Sequence, residues 1–292
     1  MFTSPADVRA KFAQRYYIVD KGTATVVYIA VKLQKPILVE GPAGVGKTDL
    51  ARVLADATNS RLIRLQCYEG IDSTSALYDW NYQKQLLRIY ADREQKKSWK
   101  DVKQTIYSEE FLLPRPLLMA ITSKEQTVLL IDEIDKSDEE FEAFLLEFLS
   151  DYQVSIPEIG TVKANNIPIV VLTSNNARDF GDALKRRCIH LYLDYPPLER
   201  EMEIVKLKVP EIQDQLLREI THFVQKLREM KLKKPPSIAE TIEWAKTLLE
   251  LDVESLTDDI VKATSGVILK YRSDVEALNS IDTNSLLSSI TH

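Results

Sequence analysis

Four short stretches carry residue types at spacings suited to chemistry on a phosphate group. The first, Gly41-Pro42-Ala43-Gly44-Val45-Gly46-Lys47-Thr48, fits the pattern G-x-x-x-x-G-K-[ST]. It stands between an apolar run, Ile37 to Val39, and a helical one, Ala51 to Ala57. Its glycines let the backbone curl so that successive N–H groups point at phosphate oxygens, and the following helix adds its positive end. Lys47 suits the β- and γ-phosphates, and the Thr48 hydroxyl suits a magnesium ion. The second stretch, Val128-Leu129-Leu130-Ile131-Asp132-Glu133, is an apolar strand pattern ending in two carboxylates, the place where an open parallel sheet puts its chemistry. Asp132 suits the water shell of the metal, and Glu133 suits the general base that polarises an attacking water. The acids that follow, Asp135, Asp138, Glu139 and Glu140, read as a solvated run.

The third stretch is a second apolar strand, Ile167 to Leu172, ending in Thr173-Ser174-Asn175. Thr-Ser-Asn is also an ordinary strand-to-turn sequence. Position decides: the strand after the acidic one is its expected neighbour in the sheet, which gives Asn175 a role as a neutral amide that orients the lytic water and feels the γ-phosphate. The fourth, Asp182-Ala183-Leu184-Lys185-Arg186-Arg187-Cys188, puts cations at a helix end. That placement complements the helix dipole by itself. It also suits an arginine offered to the nucleotide of a neighbouring subunit, with Arg187 as first choice. No N-K-x-D segment is present, which favours adenine over guanine; ATP and Mg2+ are the expected ligands.

The elements that must position these residues follow from hydrophobic periodicity. Ile37 to Val39, Leu62 to Leu65, Val128 to Ile131, Ile167 to Leu172 and Ile189 to Leu193 read as buried parallel strands. Ala51 to Ala57, Ser75 to Tyr90 and Glu139 to Leu149 read as helices between them. Gln153 to Lys163 alternates around Pro157 and Gly160 as a small hairpin. This predicts an α/β fold, a P-loop NTPase with an open parallel sheet flanked by helices. After Tyr195-Pro196-Pro197 the pattern turns helical over Glu199 to Val209, Glu211 to Met230 and Ser237 to Leu251. The expected domains are an α/β nucleotide-binding domain over 1–195 and a small all-helical lid over 196–292, with the last dozen residues as a frayed tail.

At 292 residues and 45% hydrophobic content the chain has room for one α/β core and a smaller domain. A net charge of −6 and the lack of a DNA-binding module disfavour nucleic acid as a partner. Cys67 and Cys188 lie far apart without metal-ligand spacing, and His190 and His222 lack ligand partners, so these residues read as structural. No apolar run is long enough for a membrane span and the amino terminus lacks a signal pattern, which predicts a cytoplasmic protein. Tyr68, Tyr78, Trp80 and Tyr82 form an aromatic cluster that reads as core in preference to a grip on a threaded chain.

Taken together, the phosphate loop, Leu-Leu-Ile-Asp-Glu-Ile-Asp-Lys, Thr-Ser-Asn and Arg-Arg-Cys resemble an AAA+ ATPase of the MoxR family from about Lys35 to Pro197. Leu65-Gln66-Cys67-Tyr68-Glu69-Gly70, Ala76-Leu77-Tyr78-Asp79-Trp80-Asn81-Tyr82 and Pro236-Ser237-Ile238-Ala239-Glu240-Thr241 resemble its CoxD-like branch. The resemblance implies a ring, usually a hexamer, with ATP sites shared between neighbours. It implies a chaperone-like remodelling or metal-cofactor maturation of a client metalloenzyme, a molybdenum hydroxylase such as carbon monoxide dehydrogenase, alongside a von Willebrand factor A domain partner. Two other functions suit the same motifs: an AAA+ nucleic-acid motor of the restriction-system type, and a nucleotide-gated scaffold that hardly hydrolyses. One departure stands out: where many AAA+ lids offer an arginine to the γ-phosphate, this chain reads Ser237-Ile238-Ala239-Glu240, with Lys233 and Lys234 nearby.

Overall fold

The computed structural model describes residues 1–93, 99–157 and 159–281. The expected tail lies for the most part in 282–292, outside the described residues. In chain order the elements are α1 (Pro5–Ala13), α2 (Lys21–Leu33), β1 (Ile37–Glu40), α3 (Lys47–Thr58), β2 (Arg61–Gln66), α4 (Ser73–Leu77), β3 (Tyr78–Trp80) and α5 (Tyr82–Arg93). There follow α6 (Trp99–Ile106), β4 (Leu112–Pro114), α7 (Pro116–Thr122), β5 (Thr127–Asp132), α8 (Glu139–Asp151), β6 (Gln153–Ile156) and β7 (Gly160–Lys163). The chain continues through β8 (Ile169–Ser174), α9 (Asp182–Arg187), β9 (Ile189–Tyr192), α10 (Leu198–Lys208), α11 (Asp214–Glu229), α12 (Ile238–Glu250), α13 (Asp258–Ile268) and α14 (Arg272–Asn279).

Among the described residues, five parallel strands form one sheet in the order β2-β5-β8-β1-β9. The central strands β5 and β8 are buried at every position, because helices cover both faces and leave no side for polar residues. The edge strand β2 alternates instead, with Ile63 and Leu65 inward and Arg64 and Gln66 outward. Register fixes the level of the later chemistry: Gln66 pairs with Asp132, and Val39 pairs with Thr173. All of these lie at the carboxyl ends of their strands, the expected rim of such a sheet.

The expected helix over Ser75 to Tyr90 is interrupted. Asp72 caps α4 through Ser75 N–H, and the chain then extends as β3, which pairs antiparallel with β4 before α5 begins. The cause is the aromatic content: Trp80 packs edge-on against Tyr78 at 5.9 Å and against Tyr107 at 5.2 Å, contacts that favour an extended chain. The aromatic cluster divides accordingly. Tyr78 and Trp80 pack on the core as expected, whereas Tyr68 and Tyr82 are exposed at 50% and 63% and are not core. Gln153 to Lys163 forms the hairpin β6-β7. The predicted strand from Ile167 starts two residues later, at Ile169, after Pro168, which has no N–H for the ladder.

The chain divides into two compact units: residues 1–11, 20–40 and 48–192, and residues 12–19, 41–47 and 193–292. In the first, Leu129, Ile131, Val170 and Leu172 of the sheet pack with Leu117, Phe141 and Phe148 of its helices. In the second, α11 places Leu216, Ile220, Phe223, Val224 and Leu227 along one stripe at helical spacing. That stripe packs on Trp244, whose ring lies 5.6 Å from Phe223 and whose indole N–H donates to Thr264 Oγ1 at 2.8 Å.

Leu129 has no exposed surface and faces the core of the first unit. Leu129→Ala is expected to lower stability by about 2–5 kcal/mol in urea unfolding, the cost of lost transfer energy and a cavity.

Candidate functional site

Asp132 ends the wholly buried strand β5 with only 2% of its surface exposed, so its charge needs partners. It has them on both oxygens. Oδ1 accepts from Thr173 Oγ1 at 2.5 Å and from Thr48 Oγ1 at 3.1 Å. Oδ2 accepts from Arg64 Nη2 at 2.5 Å and Nε at 3.0 Å. Thr48 lies in the first turn of α3, so the end of the phosphate loop and the acidic strand meet at this carboxylate.

Glu133 follows in a left-handed conformation, φ 55° and ψ 49°, which costs a non-glycine residue about 1–2 kcal/mol. Thr173 Oγ1 offsets part of this by accepting the Glu133 N–H at 3.0 Å. The turn swings the Glu133 side chain off the line of the strand, where its Oε2 meets Gln66 Nε2 at 2.9 Å and Lys136 Nζ at 2.5 Å. The hydrogen bond from Lys136 to that carboxylate raises the lysine above its ordinary pKa.

Asn175 leaves β8 half-buried, and its N–H donates to Asp135 Oδ2 at 3.2 Å. Asp135 also accepts from Ala177 N–H at 3.2 Å, so an acid expected to be solvated is 94% buried and braces the chain after β8. Cys67 lies beside these acids; burial, with Asp132, Asp135 and Glu133 adding to it, pushes its thiol up to about 12, which keeps it protonated and structural. Arg187 ends α9 exposed, with Nε on Ser150 Oγ at 2.8 Å and Nη1 on Ala183 O at 3.3 Å.

The phosphate loop is curled as its glycines allow, with Gly41, Gly44 and Gly46 at φ 147°, 78° and 92°. Lys47 is buried and turned onto the loop itself, its Nζ donating to Gly41 O at 2.7 Å and Pro42 O at 2.6 Å. Of the two lysines near α12, Lys234 is on Glu240 at 3.1 Å and Lys233 lies over the Tyr271 ring at 4.1 Å.

Loop, acidic strand and parallel sheet together define a family. A protein-family model of the AAA domain (dynein-related subfamily) matches residues 36–188, more than half of the chain. The chain belongs to that family. It is an AAA+ ATPase, an enzyme that hydrolyses ATP. An uncharacterized protein of Staphylococcus epidermidis is 26% identical over 264 residues, 87% of this ATPase and 92% of the relative. One from Staphylococcus haemolyticus is 26% identical over 251 residues, 83% and 86% of the two chains. Among solved structures, the Thermotoga maritima RuvB Holliday junction branch migration motor aligns with a TM-score of 0.52 at 18% identity, covering 98% of this chain and 86% of its own. At that identity the likeness speaks for the fold.

Hard oxygens from a hydroxyl and a buried carboxylate, Thr48 and Asp132, are the donor set that Mg2+ takes alongside phosphate oxygens. The residues fit such an ion. Sequence alone gives Arg64, Gln66 and Thr173 no role at the site and reads Asp135 as solvated, which its bonds to Asn175 and Ala177 N–H correct. Arg64 showed only as a polar position in an apolar strand and Gln66 only in the phrase after it, and it is the β2–β5 register that sets them against the acids.

Arg64 is half-exposed and Asp132 is not, so solvent discounts the pair but its loss leaves a buried carboxylate with hydroxyl partners alone. Arg64→Gln is expected to lower the melting stability of the nucleotide-free ATPase by about 1–2 kcal/mol, and saturating Mg-ATP is expected to narrow that difference.

Proposed function

We propose that this chain is a MoxR-type AAA+ ATPase, resembling the CoxD-like branch, that uses Mg-ATP hydrolysis in a ring to remodel or mature a client metalloenzyme. The observation that carries the hydrolytic part is the contact of Thr48 with Asp132, one residue before Glu133. The branch rests on sequence phrases, among them Leu65-Gln66-Cys67-Tyr68-Glu69-Gly70 and Pro236-Ser237-Ile238-Ala239-Glu240-Thr241.

In this reading Gly41, Pro42, Ala43, Gly44, Val45 and Gly46 wrap the phosphates with backbone N–H groups, and Lys47 exchanges its two loop carbonyls for phosphate oxygens. A magnesium ion would be held by Thr48 and Asp132 and would neutralise charge on the β- and γ-phosphates. Glu133 takes a proton from the attacking water once Gln66 and Lys136 release its carboxylate, and Asn175 orients that water. Arg187, exposed at the end of α9, reaches the nucleotide of a neighbouring subunit, and residues 196–292 act as the lid. Among the described residues no helix is long and apolar enough to cross a membrane. A cytoplasmic location and a von Willebrand factor A domain partner belong to the same proposal.

Glu133→Gln is expected to bind Mg-ATP while turnover falls by about two to four orders of magnitude, the worth of a general base; turnover near the wild-type rate removes the assignment. Arg187→Ala is expected to bind nucleotide as the wild type does and to lose about a thousandfold in turnover, the worth of an arginine finger. Full activity in that variant removes the finger. Co-purification on the Glu133→Gln trap should retain a metalloenzyme client, and ATPase stimulation by DNA would favour a nucleic-acid motor instead.

A further inference from the structure

Each of the three loop glycines meets a close neighbour from elsewhere in the second unit. A side chain on Gly41 would strike Leu193 O at 1.9 Å, one on Gly44 would strike Ser237 Oγ at 2.1 Å, and one on Gly46 would meet the Tyr17 ring at 3.4 Å. The glycines are required by these approaches as well as by their positive φ.

Two of the neighbours are themselves fixed. The Tyr17 hydroxyl donates to Gly46 O at 3.1 Å, and its ring packs edge-on against Phe12 at 5.9 Å. Gly46 C=O and Lys47 N–H belong to one trans peptide, so they point in opposite directions. Holding the carbonyl on Tyr17 therefore turns the Lys47 N–H away from Tyr17. Ser237 is 1% exposed and caps α12 in a reciprocal box with Glu240. The carbonyl just before it, Pro236 O, accepts from Arg228 Nε at 2.7 Å. Arg228 is in turn bound by Glu201 through two bonds of 2.6 and 2.7 Å, with Thr241 Oγ1 on the same carboxylate at 2.9 Å. The buried pair is fully hydrogen-bonded, the condition under which such a pair holds a single geometry.

From this geometry we infer that Tyr17 and Ser237 are positioning residues of the phosphate loop: Tyr17 sets the direction of the Lys47 amide, and Ser237, seated by Arg228 and Glu201, sets the depth of the turn at Gly44. The inference rests on the loop being the nucleotide site. It gives the start of α12 a steric contact with the loop where an arginine would make an ionic one with the nucleotide. The loop's shape and the helical unit's packing then depend on each other.

Two conservative variants test it. Tyr17→Phe keeps the ring and removes one hydrogen bond; Ser237→Thr keeps a capping hydroxyl and adds one methyl to the Cβ that lies beside Gly44. Mg-ATP affinity is read by calorimetry and nucleotide-free melting by calorimetric scanning. The expected result is a dissociation constant raised about fivefold in Tyr17→Phe and about tenfold in Ser237→Thr, with the melting temperature within about 2 °C of wild type. Unchanged affinity in both variants overturns the inference, as does affinity that falls only in step with melting temperature. If Ser237→Thr fails to fold, Tyr17→Phe decides by the same criteria. Wild-type protein that takes up no Mg-ATP would overturn the nucleotide reading itself, a failure separate from unchanged affinity in the variants.

Discussion

The structure turns on one buried charge. Asp132 stands at the end of a strand whose four preceding residues, Val128 to Ile131, are all apolar and buried, and a carboxylate there persists only with donors on both oxygens. Thr48, Thr173 and Arg64 supply them, one each from α3, β8 and β2. Three elements distant in sequence are thereby tied to one atom pair, and the same tie sets Glu133 beside Gln66 and Thr173. The sheet supplies burial, and burial makes the interactions at its rim strong.

The cations at this rim are held by the protein's own acceptors. Arg64 balances Asp132, Lys136 balances Glu133, and Lys47 rests on loop carbonyls. In the proposed mechanism a nucleotide would bring both negative phosphates and a divalent ion, and its binding would redistribute these partners. The left-handed turn at Glu133 matters to the proposed mechanism, because it carries the side chain proposed as general base off the line of the strand that ends in Asp132.

Much of the fold was legible in sequence because its strands are apolar throughout and its loop pattern is tied to a strand and a helix. Ile37 to Val39, Val128 to Ile131 and Ile189 to Leu193 were placed within one or two residues, and β8 proved to be the neighbour of β5 as its position suggested. What escaped depends on pairing across the chain. Arg64, Gln66 and Thr173 became visible with strand register, and Asp135 with the turn after β8. Tyr78 to Trp80 read as helix because amphipathic spacing cannot report a partner strand thirty-odd residues away. Ser237 stood out only as the place of a missing arginine, and its contact with Gly44 needed coordinates.

The most direct test of the central claim is a calorimetric titration with ATP in Mg2+ and in EDTA, for wild type and for Asp132→Asn. The account predicts binding in Mg2+ that weakens at least about tenfold when the ion is withdrawn, and an Asp132→Asn variant that has lost most of that dependence on the ion. Equal affinity in Mg2+ and EDTA, or an Asp132→Asn protein with the full wild-type response to Mg2+, would contradict it.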